Sequence, residues 1–214
     1  MGAIPTPEPL KGKRVLMVLA HPDDEVIFGW PILRMEGMTK GLFTVSYNRC
    51  GSLSQKPLLE VCERNGVRLV GLPVCMNNFY RLPPRYETPT LQEVTSKIIM
   101  GLQDSITRFR PDFLFTHNPI GEYGHGDHRF LFNVCTLMSN PLLMTDICQT
   151  NNCHLSTERI PRVFRETFYR LECRLGSFSL DLEWYEGMKQ IYEQGKAWTW
   201  GGHDPVTDCG LYLI

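Results

Sequence analysis

The feature that most constrains the fold is an apolar run at residues 14–20, which reads Arg-Val-Leu-Met-Val-Leu-Ala. A run that is apolar at every position after the first, and rich in branched side chains, is typical of a strand buried on both faces of a sheet. It is far shorter than the roughly 20 apolar residues that a membrane-crossing helix needs. A polar cluster follows at residues 21–25. The pattern therefore predicts a buried strand that ends in a polar loop.

Further along the chain, predicted helices and strands alternate. The apolar spacing predicts helices at 26–37, 57–65, 90–109, 130–137 and 181–198, and strands at 42–47, 67–72 and 112–116. We expect an irregular segment at 140–157 and one or two strands at 162–171. Alternation of this kind predicts an α/β fold, a Rossmann-like and mostly parallel sheet with helices on both faces. We expect residues 1–12 to form a flexible, proline-containing tail and residues 13–214 a single domain.

The composition excludes several classes of protein. The 214 residues carry 22 Lys and Arg against 23 Asp and Glu, a net charge of -1 that lacks the basic excess of a nucleic-acid-binding protein. No run is long enough to cross a membrane, and residues 1–13 lack the apolar stretch of a signal peptide. The eight cysteines form no Cys-x-x-Cys pair, so we interpret most of them as reduced core thiols. We therefore expect a globular cytoplasmic protein. The sequence contains no signal for its oligomeric state.

Two polar clusters, at residues 21–25 and 117–128, each follow a predicted strand directly. Ligands of parallel α/β sheets bind at the carboxyl ends of the strands. We therefore expect the two clusters to lie at the same edge of the sheet and to form one site.

The residue types in these clusters favour metal-assisted hydrolysis. His125 and His128 are three residues apart at a predicted helix start, so their rings would project from one face. Two imidazoles and one carboxylate of the Asp23–Asp24 pair would fill three positions on a divalent cation and leave a fourth for water, as in catalytic zinc sites. The other carboxylate could then take a proton from that water. The alternative, that Asp23 caps a helix and the histidines merely line a polar loop, stays open.

The two clusters also resemble the motifs of a known family. Ala-His-Pro-Asp-Asp-Glu at 20–25 and Gly-Glu-Tyr-Gly-His-Gly-Asp-His at 121–128 are similar, in this order, to those of the LmbE-like (PIG-L) family of zinc-dependent N-acetylglucosaminyl deacetylases. Residues 110–112 and 116–119 also resemble the family's approach to its second motif. The resemblance covers roughly residues 14–137 and fades toward the carboxyl end.

The resemblance implies a role for each matching residue. The expected zinc ligands are His21, Asp24 and His128. Asp23 is then the general base, His125 stabilises the oxyanion or protonates the leaving amine, and Tyr123 assists at the carbonyl. The implied reaction removes the acetyl group from an N-acetylglucosamine-type sugar or conjugate by attack of a metal-activated water. A site of two His and one Asp suits Zn²⁺ but also tolerates Fe²⁺.

The sequence departs from the family pattern where the sugar is expected to bind. Family members often carry an Arg near the start of the second helix, whereas residues 54–60 here offer only Lys56, which lacks the two-pronged hydrogen bonding of a guanidinium. Arg49, after the second predicted strand, could also reach a polar substrate. Both are therefore expected substrate-binding residues. The departure leaves open a zinc amidase for a different N-acyl compound, an antibiotic or a lipid intermediate, and less favourably a non-catalytic binding module of the same fold.

Residues in or near the two motifs, and the aromatic residues near the carboxyl end, also have expected roles. We expect Asp127 to face away from the site or to cap the helix, and Glu25 to support His128 or the first helix. His117 either orients a ligand or is an ordinary loop histidine. We expect the aromatic residues of 184–200 to pack a helix onto the sheet.

Overall fold

The computed structural model describes residues 3–45, 55–71, 88–147, 173–201 and 204–214. Within these ranges, seven strands form one sheet: β1 (Arg14–Leu19), β2 (Thr39–Thr44), β3 (Val67–Gly71), β4 (Phe113–Thr116), β5 (Leu142–Thr145), β6 (Arg174–Ser179) and β7 (Asp208–Leu213). Their order in the sheet is β3-β2-β1-β4-β5-β7-β6. The first five pair in parallel, and β7 pairs antiparallel with both β5 and β6. The predicted mostly parallel sheet is confirmed.

Seven α-helical segments surround this sheet in the described part of the chain. They are α1 (Asp24–Ile27), α2 (Trp30–Arg34), α3 (Gln55–Arg64), α4 (Thr88–Phe109), α5 (Gly121–Gly124), α6 (Gly126–Thr136) and α7 (Leu182–Gln194). Within the described ranges, none of these helices combines the length and the apolarity that a bilayer crossing requires.

Strand β1, the middle one of the five parallel strands, separates two hydrophobic clusters. Its residues 15, 17 and 19 pack with residues of α2, α3 and α7, whereas residues 16, 18 and 20 pack with residues of α4 and α6. Side chains alternate between the two faces of a strand, so both faces of β1 are covered by helices. This burial on both sides is the reason for the continuous apolar run in the sequence.

The described part of the predicted tail lies against the domain. Ile4 is buried and forms an isolated parallel bridge with Met35, and the Thr6 hydroxyl donates to the carbonyl of Glu36. A 3-10 helix at Glu8–Leu10 then places Leu10 in the core, where it has no solvent exposure. Residues 3–12 thus contribute to the same hydrophobic core as β1.

The single helix predicted for residues 26–37 is wrong. The chain forms α1 and α2 instead, with Gly29 between them. Pro31 explains the break, because it lacks an N–H and its ring would collide with the carbonyl four residues earlier in a continuous helix. It is tolerated in the first turn of α2, where no intrahelical donor is required.

The sequence analysis also missed three strands. β5 lies inside the segment 140–157 that we expected to be irregular, and β6 and β7 had no predicted counterpart. β5 is only four residues long, which leaves too few positions for a periodic signal. β6 is largely exposed, so its burial pattern gives little alternation to detect. The strands predicted at 162–171 lie outside the described residues.

We predict that Leu10→Ala destabilises the whole domain. The side chain is fully buried, so its truncation leaves a cavity and should lower the free energy of unfolding by about 2–5 kcal/mol. Urea denaturation followed by circular dichroism measures this change. Leu137→Ala is the matched control, because Leu137 is 72% exposed and its truncation should stay within about 0.5 kcal/mol. Equal midpoints for the two variants would contradict the packing of the N-terminal segment.

Candidate metal centre

The parallel pairing of β1 with β4 brings the two polar clusters together. Val18 lies opposite Thr116 in the register, so both strands end at the same edge of the sheet. Beyond the strand ends, the backbone N–H of Ala20 donates to Nε2 of His117 at 3.1 Å. The expected convergence of the clusters is therefore confirmed.

Three side chains meet at this edge in an arrangement suited to a cation. One ligand atom from each of His21, Asp24 and His128 lies within 4.8 Å of the other two, and all three residues are buried. Oδ2 of Asp24 is 3.4 Å from Nδ1 of His21 and 3.5 Å from Nε2 of His128. These are the residues that the family resemblance assigned as metal ligands.

Asp127 fixes the orientation and the tautomer of His21. The Oδ2 atom of Asp127 lies 3.0 Å from Nε2 of His21, and the aspartate is completely buried. A carboxylate accepts the Nε2 proton, which leaves the lone pair of the ring on Nδ1, toward Asp24. The expectation that Asp127 faces away from the site is wrong. Asp127 and His128 lie in the same first turn of α6, and both side chains are buried.

Glu122 performs the corresponding role for His128. Its Oε2 accepts from Nδ1 of His128 at 2.6 Å and from Nδ1 of His117 at 3.2 Å. The two imidazole rings stack with their centroids 3.7 Å apart. Burial opposes ionisation of Glu122, but the two histidines outweigh it and lower the pKa of the carboxyl to about 2. The carboxylate therefore holds the proton of His128 on Nδ1 and leaves the lone pair on Nε2.

The sequence reasoning missed Glu122 altogether. The backbone of Glu122 is in the left-handed region, with φ 55°. Two hydrogen bonds with Asn118 help to hold it there: the N–H of Glu122 donates to Oδ1 of Asn118, and the N–H of Asn118 donates to Oε1 of Glu122. Such strain in a residue other than glycine is common at functional sites. The only signal in the sequence was a carboxylate set among glycines within the second motif.

The donor set fits a divalent cation. Nε2 of His128 is buried and has no hydrogen-bond partner within the described residues, yet its lone pair faces Oδ2 of Asp24. Burial would raise the pKa of Asp24, but the imidazoles of His128, His117 and His21 outweigh it and hold that pKa well below its usual range. Two imidazole nitrogens and one carboxylate oxygen that converge in this way match the three-ligand set of catalytic zinc sites.

His21 would bind such a cation in competition with a proton. Burial opposes the charged form of the ring, but Asp127 and Asp24 outweigh it and raise the pKa of His21 to about 10. A metal ion that binds to Nδ1 must therefore displace this proton, as is usual for histidine ligands.

Asp23 lies beside these groups in an unusual conformation. Its φ of 94° is left-handed, and its backbone N–H donates to Oε2 of Glu25 at 3.1 Å. Oδ2 of Asp23 accepts two hydrogen bonds from Thr199, whereas Oδ1 is buried and has no partner within the described residues. Burial and the charge of Asp24 raise the pKa of Asp23 well above its usual range, although the bonds from Thr199 lower it. Asp23 is therefore a buried carboxylate held through Oδ2, with Oδ1 unpartnered within the described residues.

The support of Asp23 comes partly from α7. Tyr192 is fully buried on this helix, and its hydroxyl donates to Oε1 of Glu25, whose other oxygen holds the N–H of Asp23. Burial raises the pKa of Glu25 to about 7. Glu25 therefore supports the loop that carries Asp23 rather than His128, and Tyr192 does more than pack its helix onto the sheet.

His125 caps α6 and faces the same site. Its Nδ1 accepts from the backbone N–H of Asp127 at 3.2 Å, so the proton of the neutral ring resides on Nε2. Burial and the neighbouring His128 lower the pKa of His125 to about 3. Its ring centroid lies 4.5 Å from that of His128 and 5.0 Å from that of His21. His125 is therefore a neutral donor next to the three candidate ligands.

An aromatic wall closes one side of the site. The ring of Tyr123 lies 5.4 Å from that of His125 and 5.1 Å from that of Trp200. Phe28 packs edge-on against Trp200 with a centroid distance of 5.5 Å. Trp200 is buried, as expected, but the segment that carries it reaches the candidate centre, a connection that the sequence analysis did not predict.

The expected substrate-binding residues are Arg49 and Lys56. Arg49 falls outside the described residues. Lys56 lines a cavity of about 520 Å³ between the start of α3 and the end of α7, and none of the candidate ligands lines that cavity. Its assignment to substrate binding stays a prediction.

Comparison with solved structures supports the fold. The deacetylase Dbv21, which acts on the A40926 pseudoaglycone, aligns with a TM-score of 0.59 at 12% identity over 95% of this chain and 98% of its own. A deacetylase–bog complex from teicoplanin biosynthesis gives 0.60 at 12% identity, over 94% and 98%. The zinc-inhibited form of teicoplanin deacetylase Orf2 gives 0.59 at 12% identity, over 94% and 97%. At these identities the likeness concerns the fold alone.

Comparison by sequence identifies the family. No curated protein matches this chain closely enough to count as a relative. A profile of the PIG-L family, described as GlcNAc-PI de-N-acetylase, matches residues 16–138. The match covers more than half of the chain and includes both motifs that build the candidate metal centre. This protein therefore belongs to the PIG-L family of GlcNAc-PI de-N-acetylases.

Proposed function

We propose that this protein is a zinc-dependent hydrolase that removes the N-acetyl group from an N-acetylglucosamine-type sugar or conjugate. The observation that carries the proposal is the convergence of three lone pairs, from His21, Asp24 and His128, beside a buried carboxylate with an unpartnered oxygen. Family membership supports the same reaction class.

His21, Asp24 and His128 would hold the cation, with Asp127 and Glu122 fixing the two imidazole tautomers. A cation bound there would polarise the amide carbonyl and lower the pKa of a bound water to about 7. Zinc suits this set of ligands, and ferrous iron is the alternative metal.

Asp23 would carry the proton through the reaction. Its Oδ1 accepts a proton from the attacking water as the new C–O bond forms to the carbonyl carbon. When the C–N bond breaks, the same proton passes from Oδ1 to the leaving nitrogen. Acetic acid and a free amine result, and Asp23 returns to its carboxylate form. The acid then releases the second proton of the water to solvent as it ionises to acetate.

His125 would stabilise the charge that develops on the carbonyl oxygen. Since the ring is neutral and carries its proton on Nε2, it can donate a hydrogen bond to an oxyanion without first binding a proton. Of the two roles implied by the family resemblance, the geometry supports oxyanion stabilisation better than protonation of the amine. Tyr123 next to His125 would assist at the same oxygen.

The identities of the acyl group and of the sugar are also part of the proposal. Arg49 and Lys56 are the proposed substrate-binding residues. Because Lys56 lines a cavity without any candidate ligand, a different N-acyl substrate is the second candidate. The structural relatives that act on A40926 pseudoaglycone and teicoplanin suggest a glycopeptide-type substrate for that case.

The direct test is acetate release from a panel of N-acetylated sugars that includes N-acetylglucosaminyl-phosphatidylinositol. We expect turnover that a chelator abolishes and that added zinc restores. The same panel with longer acyl chains provides the comparison. A strong preference for long chains would favour the second candidate, and no turnover of any substrate by the metal-loaded protein would contradict both.

We predict that Asp23→Asn lowers kcat by about 10²–10⁴-fold, since the amide cannot accept and return the proton. Steady-state kinetics on the best substrate of the panel measures this. Asp104→Asn is the matched control, because Asp104 is exposed on α4 and pairs with Arg108 one turn away. Bound metal should stay at the wild-type level in both variants. If Asp23→Asn retains wild-type turnover, the proposed proton transfer is wrong.

We predict that Glu122→Gln weakens zinc binding by about 10–100-fold. The substitution removes the charge that holds the proton of His128 on Nδ1, and partners of this kind have effects of that size on metal sites. Competition with a chromophoric chelator measures the dissociation constant without reference to activity. Glu63→Gln, at an exposed position on α3, should leave the constant unchanged. An unchanged constant for Glu122→Gln would contradict the proposed role of Glu122 in orienting His128.

A further inference from the structure

We propose that Thr199 is the positioning residue of the catalytic base, holding the Asp23 carboxylate so that Oδ1 alone exchanges the proton. This inference rests on the proposed function. It concerns a residue beyond the matched part of the family profile, which ends at residue 138. No sequence pattern connects the two residues, which are 176 positions apart.

The two hydrogen bonds of Thr199 reach the same oxygen. The backbone N–H of Thr199 donates to Oδ2 of Asp23 at 2.7 Å, and its hydroxyl donates to Oδ2 at 2.6 Å. Oδ1 accepts none within the described residues. Rotation of the carboxylate about the Cβ–Cγ bond would break both hydrogen bonds from Thr199. An oxygen that already accepts two hydrogen bonds is also the poorer site for a proton, so protonation is directed to Oδ1.

The chain around Thr199 is built to hold it in place. After α7 ends, Lys196 adopts a left-handed φ of 53° and the N–H of Ala197 bonds back to the carbonyl of Tyr192. The two flanking tryptophans then pack inward: Trp198 lies against Tyr192 at 6.2 Å between centroids, and Trp200 joins the aromatic wall. Thr199 itself remains exposed between these two anchors. The anchors fix the position of its N–H and hydroxyl.

The exposure of Thr199 allows a clean substitution. Thr199→Val has nearly the same shape, retains the backbone N–H and removes only the hydroxyl bond. Thr199→Ser retains both donors. Thr207→Val is the matched control, because Thr207 is also exposed and its hydroxyl also donates to a carboxylate, Oδ2 of Asp208 at 3.0 Å.

The experiment measures kcat, KM, bound zinc and melting temperature for the wild type and the three variants, on an N-acetylated sugar that the wild type turns over. Because a hydrogen bond to a charged group is lost, we expect Thr199→Val to lower kcat by about tenfold or more. We expect KM and bound zinc to stay at wild-type values and the melting temperature to fall by no more than about 10 °C, the effect of one lost hydrogen bond to a charged group. Thr199→Ser should restore most of kcat, and Thr207→Val should equal the wild type.

The outcomes separate this inference from the function on which it rests. If the wild type is active and Thr199→Val retains its kcat, the positioning role is wrong and the proposed function stands. A change in KM alone would assign Thr199 to substrate contact, and a loss of zinc or a larger fall in melting temperature would assign it to structure; either overturns the inference. If the wild type turns over no acetylated sugar, the proposed function fails first, and the inference fails with it.

Discussion

The side-by-side pairing of β1 and β4 is the constraint on which the candidate centre depends. The two strands run parallel and end together, so the loops that follow them share one edge of the sheet. The hydrogen bond from the N–H of Ala20 to His117 then ties the loops to each other. If these strands were not neighbours, His21 and His128 would have no common point to face. The burial of β1 on both faces maintains this pairing, and the hydrophobic core thus holds the geometry of a polar site.

Around this edge, buried carboxylates set the tautomers of His21 and His128. Asp127 and Glu122 hold protons on the outer nitrogens of His21 and His128 and leave the inner lone pairs toward Asp24. Burial of His21, Asp24 and His128 together would cost free energy without a positive charge between them, since the lone pairs of the rings face the carboxylate. The same carboxylates impose strain, as the left-handed backbone of Glu122 indicates. Backbone strain and a buried lone pair without a hydrogen-bond partner in the described part of the chain, as on Nε2 of His128, are both expected where a site is organised for a ligand rather than for stability.

The carboxyl-terminal part of the chain also contacts the residues of the site. Tyr192 on α7 acts on the loop of Asp23 through Glu25, and Thr199 acts on its carboxylate directly. Trp200 extends the aromatic wall beside Tyr123. The motif-bearing half supplies the candidate ligands, whereas the second half positions the proposed base. The fading resemblance beyond residue 137 therefore does not mean that this region is remote from the chemistry.

By itself, the sequence determined the α/β class, the buried first strand and the meeting of the two motifs, because hydrophobic periodicity and motif spacing are local signals. The break at Pro31 is also a local signal, because proline acts on its own turn, but the sequence analysis predicted one continuous helix there. Only the tertiary structure decided the inward orientation of Asp127, the role of Glu122 and the contact between Thr199 and Asp23. These depend on side-chain direction and on packing between distant segments, and short strands such as β5 form only because a neighbour offers its hydrogen bonds. Local patterns carry none of that information.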